Sequence, residues 1–552
     1  MIRLRSLTLA CIAALLLTGA APPPAIGRTG MVASDHVQAS QAGAQVMAAG
    51  GNAVDGIVAA ALAAGVVQPA GSGLGGGGFA VVVAPDGTQT VLDFREMAPA
   101  ASTRDMFLLA TAENASRIGG LAVGVPGEAA GLVELHRRHG RLPLDQVVAP
   151  AIALATTGFP VGAHLAQALW EAEAEALGLS KALFDVDQVP QEGTWVKRVR
   201  LGQTLTVLAQ VGGSAFREGP IAADIAQASQ AAGGILTEMD LANYTPRDRV
   251  PVVGQYRGWT VVTMPPPSSG GVVLLQVLSV LEGDALPPAQ SAALFHRLAE
   301  AMKHAYADRA RYMGDPDRVE IPVARLLSLE RIAAIRKDFK ANRTHPAAHY
   351  GTPVHVGDDG GTQHISALDA DGLAVALTTT INTSFGSRVV APQSGILLNN
   401  EMDDFVARPG VPNHYGLVGS EANAVAAGAR PLSSMTPTVL ISPDGSERIV
   451  VGASGGPFII SSTLQVILNI IDFGMDPAEA VSAPRMHHQW APNTLFVDQG
   501  TSPDTIVRLR TLGHTVEVKD FYSSVQLIRG GAGGFVGASD PRKGGWPAGV
   551  GR

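Results

Sequence analysis

The chain has 552 residues, of which 46% are hydrophobic and 16% charged, and its formal net charge is −8. That balance supplies a large core and argues against disorder. It lacks the basic excess that a nucleic acid or an anionic membrane would select. Glycine (64) and proline (36) are abundant but follow no G-X-Y period, so they mark tight turns.

The first two dozen residues have the form of a secretion leader. Arg3 and Arg5 make a positive end, residues 7–17 are apolar, and Thr18-Gly19-Ala20-Ala21 offers a small-residue cleavage site. The apolar run is too short to span a bilayer. The single cysteine, Cys11, falls inside it, and Thr8-Leu9-Ala10 lacks the leucine that lipid attachment usually has three places ahead. With residues 1–21 removed, the chain has no cysteine for a disulfide, a nucleophile or a zinc site. The expected location is periplasmic or secreted, with no membrane insertion after leader removal.

Residues 30–34 read as a strand. A helix over 39–49 stops at Gly50-Gly51-Asn52, and an Ala-rich helix covers 54–67. The Gly-rich loop 71–78 feeds a strand over 79–83, and a turn at Pro85-Asp86-Gly87 leads to its partner over 90–94. From about 126 to 345 the pattern is mainly helical, clearest over 294–312. Residues 346–361 are rich in Gly, His and Asp without a period, as in an exposed linker. Strands return over 365–369, 373–381, 437–441 and 449–451, followed by a helix over 461–473. That order predicts one layered α+β body whose sheets come from both ends of the chain.

Several motifs carry competing readings. Gly73-Leu-Gly75-Gly-Gly-Gly78 has dinucleotide-fingerprint spacing, but a strand follows where a helix is required. Gly452-Ala-Ser454-Gly-Gly456 has nucleophile-elbow spacing, with Asp472 and His487, His488 or His514 as triad partners. Alternatively, Gly455 and Gly456 present N–H groups to an oxyanion and Ser454 is incidental. His487-His488 has no neighbouring acidic cluster and reads as a structural pair. Arg95 ends an apolar strand and suits a carboxylate, from a substrate or a structural partner. Asp403-Asp404 suits either a solvated turn or a substrate ammonium.

The segment Gly360-Gly361-Thr362-Gln363-His364-Ile365-Ser366 stands apart. A Gly-Thr bond held in a strained turn can be attacked by the threonine's own hydroxyl, leaving a new N-terminal threonine. Such a residue carries both nucleophile and base, because its α-amine, with an ordinary pKa of about 7.7–8, accepts the hydroxyl proton.

These blocks resemble the γ-glutamyltranspeptidase (glutathione hydrolase) family from about residue 30 to 542. The resemblance rests on Gly50-Gly-Asn-Ala-Val-Asp55, Gly73-Leu-Gly-Gly-Gly-Gly-Phe79, Asp93-Phe-Arg-Glu-Met-Ala-Pro99 and the Thr362 segment with Thr378–Gly386. Further matches are Gly395–Phe405, Arg430-Pro-Leu-Ser-Ser-Met435 and Pro484-Arg-Met-His-His-Gln-Trp490. It implies a four-layer αββα sandwich of the N-terminal-nucleophile hydrolase type. Cleavage between Gly361 and Thr362 would give a large subunit, 22–361, and a small one, 362–552, held as a heterodimer. It also implies Thr362 as nucleophile and Thr380 as its orienting partner. Arg95, Ser433 and Ser434 would take the α-carboxylate of a γ-glutamyl group, and Asn382, Glu401 and Asp404 its α-ammonium. Gly455 and Gly456 would form the oxyanion site. The substrates implied are glutathione and other γ-glutamyl compounds, with water, amino acids or dipeptides as acceptors and no cofactor or catalytic metal.

The sequence departs from the family pattern at Gln363, Leu373, Ala453-Ser454 and Pro457-Phe458. Pro457-Phe458 stands where Ser-Arg is usual, so a phenylalanine at the pocket edge would favour an apolar acyl group. The alternatives are a cephalosporin or glutaryl acylase of the same family, or an unprocessed γ-glutamyl-binding protein. Residues 409–419 resemble the family's lid over the glutamyl site.

Overall fold

The computed structural model describes residues 23–551 apart from 113, 176–177, 352–360, 408–412, 415–418 and 521–522; the predicted leader lies outside them. Two seven-stranded sheets form its centre. Their strands are β1 (Ala25–Gly27), β2 (Gly30–Ser34), β3 (Gly77–Val83), β4 (Gln89–Phe94), β5 (Arg247–Arg249), β6 (Val252–Tyr256) and β7 (Trp259–Thr263), then β8 (Gln363–Asp369), β9 (Ala374–Thr380), β10 (Thr438–Ile441), β11 (Glu447–Ser454), β12 (Ser524–Gly531), β13 (Gly534–Ser539) and β14 (Ala548–Val550). One sheet runs β1-β13-β12-β11-β10-β7-β6 and the other β14-β2-β8-β9-β3-β4-β5. All the pairings within them are antiparallel. Each sheet therefore contains strands from both sides of Thr362.

The sheets pack face to face, and helices cover both outer faces. Ser366 on β8 donates from Oγ to the carbonyls of Val450 and Gln526 in the other sheet, each at 3.2 Å. His364 stands on the same face, and a Cβ on Gly452 would meet its ring at 2.3 Å, so glycine makes room for the imidazole. Burial pushes His364 down to about 3, so it is neutral and bonds Thr378 Oγ1 at 2.8 Å. On the opposite face of β8, Ile365 and Ala367 join the core formed with α1 (Val37–Ala48) and α2 (Ala53–Val67). Helix α2 is buried along its whole length, and its small residues allow that. A Cβ on Gly43 of α1 would meet the Gly56 carbonyl of α2 at 2.6 Å, so the two backbones cross at a glycine. Asn52 and Asp55 start α2 with a reciprocal capping box. The outer face of the other sheet carries α3 (Gly270–Leu281), α4 (Ala292–Tyr312) and α5 (Phe458–Ile471) in a second core. The architecture is the expected α+β sandwich of helix, sheet, sheet and helix layers.

The predicted strands and helices on either side of the mainly helical region are present, with ends shifted by a few residues. Within it, β6 and β7 form a hairpin that its helical reading missed. Arg257 and Gly258 join them at φ 49° and 81°, a tight turn with both central residues in the left-handed region. No described helix is long and apolar enough to cross a membrane.

Candidate active site

Thr362 immediately precedes β8. Antiparallel pairing of β8 with β9 sets Gln363 opposite Thr379, which brings Thr380 at the end of β9 beside Thr362. Their hydroxyl oxygens are 3.0 Å apart. Thr380 Oγ1 also accepts the Asn382 N–H at 2.8 Å. The Gly-rich loop sits behind this pair. A Cβ on Gly76 would lie 2.0 Å from the Thr380 carbonyl, and Gly71 accepts the Thr362 N–H at 3.1 Å. Close backbone approach accounts for the glycines, and a strand follows them as the sequence indicated.

Thr362 has φ 89°. For a β-branched residue this is a strained conformation, costing about 1–3 kcal/mol. A side chain on Gly361 would meet the Asn382 carbonyl at 1.9 Å, so only glycine fits before it. Gln363 is accommodated by donating to the Gln68 carbonyl at 2.9 Å.

Eight of the predicted residues line one small cavity with Thr362: Arg95, Thr380, Asn382, Glu401, Asp404, Ser433, Ser434 and Gly456 surround it. Arg95 is 1% exposed. One guanidinium nitrogen contacts Glu401, and the other donates to Asp404 at 2.6 Å. Its Nε donates to the Pro431 carbonyl at 3.2 Å. Burial alone would lower this guanidinium; Glu401, Asp404 and Glu96 outweigh it and raise it. The cavity measures about 20 Å³, room for roughly one water. An anionic ligand that pairs with Arg95 must first separate it from its carboxylates.

Glu96 was not among the predicted site residues, although it stands in the Asp93–Pro99 block. Burial, opposed by Arg95, pushes it up to about 7, and burial raises Glu401 well above the carboxylate range. The two carboxyls lie against each other and fit a shared proton. Glu96 thus keeps a proton when folded at pH values where the unfolded chain has released it. Stability conferred on the folded state must therefore fall as pH rises from about 4.5 through about 7. Glu96→Gln is expected to gain thermal stability over the wild type at pH 8 and to gain little at pH 5; unfolding midpoints at the two pH values check this.

Ser433 Oγ accepts the Met435 N–H at 3.1 Å, while buried Ser434 Oγ has no partner among the described residues. Gly455 and Gly456, at φ 115° and 55°, join β11 to α5 and lie at the positive end of that 14-residue helix. Asp404 faces the cavity, whereas Asp403 accepts bonds from Ser116 Oγ at 2.6 Å and the His414 N–H at 3.1 Å. Most of the predicted lid lies outside the described residues. Asn413 within it donates to Asp404 at 3.1 Å.

Two readings of the sequence are corrected. Ser454 is not assembled into a triad: its hydroxyl accepts from Lys543 Nζ at 2.8 Å. Asp472 binds Tyr256 and Arg257, His487 binds Ser461, and His514 binds His296. Phe458 does not line the cavity; it stacks on His487 at 4.0 Å, while Pro457 and Ile459 face inward. It therefore gives no apolar acyl pocket. His487 and His488 are a buried structural pair, bonded to Ser461, Gln489 and the Trp490 N–H. Lys543 also donates to the Thr362 carbonyl at 3.4 Å, a contact between chain ends that no local pattern in the sequence announces.

The family model for gamma-glutamyltranspeptidase matches residues 39–550. The chain is 44% identical to a glutathione hydrolase proenzyme of Escherichia coli (strain K12), over 94% of this chain and 91% of that one. It is 40% identical to a glutathione hydrolase proenzyme of Pseudomonas sp. (strain A14), covering 95% and 94%. Among solved structures, a cephalosporin acylase from Bacillus halodurans superposes with TM-score 0.86 at 28% identity, covering 96% of this chain and 97% of that one. The Helicobacter pylori gamma-glutamyltranspeptidase superposes with TM-score 0.54 at 38% identity, over 56% of this chain and 92% of that one. By this family match over residues 39–550 and these relatives, the chain belongs to the γ-glutamyltranspeptidase family.

Proposed function

We propose that this chain is a self-processing γ-glutamyltransferase and glutathione hydrolase whose nucleophile is Thr362. The observation that carries the reading is the shared cavity: a strained threonine after glycine, hydrogen-bonded to Thr380, opens onto an arginine ringed by carboxylates. In the first step Thr362 Oγ1 attacks the Gly361 carbonyl carbon. The peptide C–N bond breaks as its nitrogen takes the hydroxyl proton, and water then hydrolyses the resulting ester. The products are a Gly361 carboxylate and a free Thr362 α-amine, so residues 22–361 and 362–552 become the two subunits of a heterodimer.

In turnover that amine takes the Oγ1 proton while the oxygen attacks the γ-carbonyl of the donor. The N–H groups of Gly455 and Gly456 face the developing oxyanion. The leaving amine departs with the proton, for glutathione as cysteinylglycine, and a γ-glutamyl ester remains on Thr362. Water gives glutamate; an amino acid or dipeptide amine gives a new γ-glutamyl compound. Arg95, Ser433 and Ser434 hold the α-carboxylate, and Asn382, Glu401 and Asp404 the α-ammonium. The leader-like N-terminus supports export to a periplasm or the medium.

A glutaryl donor is the competing substrate, given the acylase likeness. It has no ammonium for Asp404 and Glu401, and this cavity holds more carboxylates than cations. Leaving a buried charge unpaired costs about 2–5 kcal/mol. γ-Glutamyl-anilide is therefore expected to exceed glutaryl-anilide in kcat/KM by about 10²-fold or more. Equal rates, or preference for glutaryl, would overturn the donor assignment.

A further inference from the structure

A second cluster of titratable side chains lies far along the fold from the cavity. His304 of α4, Asp338 at the end of the helix Leu329–Asp338, and His345 and His349 beyond it converge on one carboxylate. His304 Nε2 is 3.0 Å from Asp338 Oδ2, and His349 Nε2 is 2.6 Å from the same oxygen. His345 Nε2 is 3.8 Å from Oδ1 and bonds the Asp338 carbonyl at 3.0 Å. The rings of His345 and His349 stack at 4.2 Å and 11°. The ligand atoms of Asp338, His345 and His349 all fall within 4.8 Å of one another. From these positions we infer a divalent-metal site of the zinc class, with Nε2 of His345 and His349 and one Asp338 carboxylate oxygen as ligands, a fourth position for water, and His304 as a hydrogen-bond partner of the Asp338 carboxylate.

The donor set fits that ion. Two imidazoles and one carboxylate suit zinc, and they discriminate against calcium and magnesium, which take oxygen ligands. At metal–ligand distances of about 2.0–2.1 Å, a tetrahedral ion separates its ligands by about 3.3 Å. His349 Nε2 at 2.6 Å and His345 Nε2 at 3.8 Å from the Asp338 oxygens each lie within tenths of an ångström of that spacing. Access is open, because the His349 side chain is 37% exposed. Neighbouring cations are already engaged, Arg331 by Asp308 and Lys303 by Glu300. The other histidine group, His296 with Glu300 and His514, is a poorer candidate. Its two imidazoles bond each other at 2.7 Å, and Lys303 occupies its carboxylate. Nothing in the proposed reaction passes through the ion. Its effect would be mechanical: His345 and His349 lie 16 and 12 residues before Gly361, so the ion would pin that part of the chain to the helix Leu329–Asp338.

The test uses full-length, tag-free protein stripped with a chelator, desalted, and titrated with zinc chloride by calorimetry. Wild type is expected to take one zinc per chain, and equimolar calcium to give no comparable binding. His349→Ala and Asp338→Asn should each weaken zinc by at least the roughly 10- to 100-fold that loss of a supporting partner costs at a metal site. His514→Ala should leave the affinity unchanged. His349→Gln, at an exposed position, guards against a folding defect and should show the same loss with the metal-free unfolding midpoint of the wild type. Absence of zinc binding to the wild type would overturn the site. So would equal affinity in His349→Gln, or loss in His514→Ala alone.

Discussion

Thr362→Ala is expected to remain one uncut polypeptide and to lose about 10⁴-fold or more in γ-glutamyl turnover, the scale on which removal of a covalent nucleophile acts. The same hydroxyl performs both steps, so cleavage and catalysis disappear together. Thr362→Ser keeps an oxygen at that position and should still be cut and active, though more slowly. Thr380→Ala removes the 3.0 Å partner and should slow both steps without abolishing them. Ser454→Ala should be cut and active, since the Ser454 hydroxyl is bound to Lys543 and does not line the cavity. A denaturing gel with N-terminal sequencing reads the first step, and the wild-type small fragment should begin Thr-Gln-His-Ile-Ser. Two fragments from Thr362→Ala, or one intact chain from active wild type, would sink the assignment.

Arg95→Met is expected to lower kcat/KM for γ-glutamyl donors by about 10²–10³-fold and to lower the unfolding midpoint as well. Removing the cation from a buried ion pair costs about 3–5 kcal/mol, because the stranded charges remain. Here Glu96, Glu401 and Asp404 would face one another with no guanidinium between them. The kinetic loss should appear mainly in KM, since the α-carboxylate is held in ground and transition states alike. A double variant, Arg95→Met with Glu401→Met, should recover part of the lost stability but none of the affinity. Calorimetric midpoints and saturation kinetics on the three proteins separate the effects. Unchanged KM in Arg95→Met would remove the arginine from substrate recognition.

Much of this architecture is legible in the chain because local chemistry and tertiary placement agree. Asn52 and Asp55 cap the helix that the Ala-rich run predicts, and alternation over 365–369 places Ser366 and Leu368 on one face of β8. The β6–β7 hairpin was harder to see. Its strands lie in a long helical region, and their turn depends on Arg257, a residue type that seldom marks a left-handed turn. Site residues were recoverable where a motif carries them, as at Thr362 and Arg95. Contacts that join distant stretches left no local trace. Lys543 reaches Thr362 across 181 positions, and Glu96 acquires its raised pKa only when folding buries it. Phe458 shows the converse error: its position in the sequence placed it at the pocket edge, but ring stacking on His487 turns it away.

Both central sheets interleave strands from either side of Thr362, and this fixes an order of events. The bond before Thr362 is bent only once β8 and β9 have paired and the Gly71 loop has closed behind them. A chain that has misassembled its sheets has no such bend and therefore acquires no free amine. On the proposed mechanism, scission then acts as a checkpoint on maturation, which every molecule able to turn over a donor has already passed. The same interleaving makes the cut harmless to cohesion, since neither fragment owns a complete sheet to leave with.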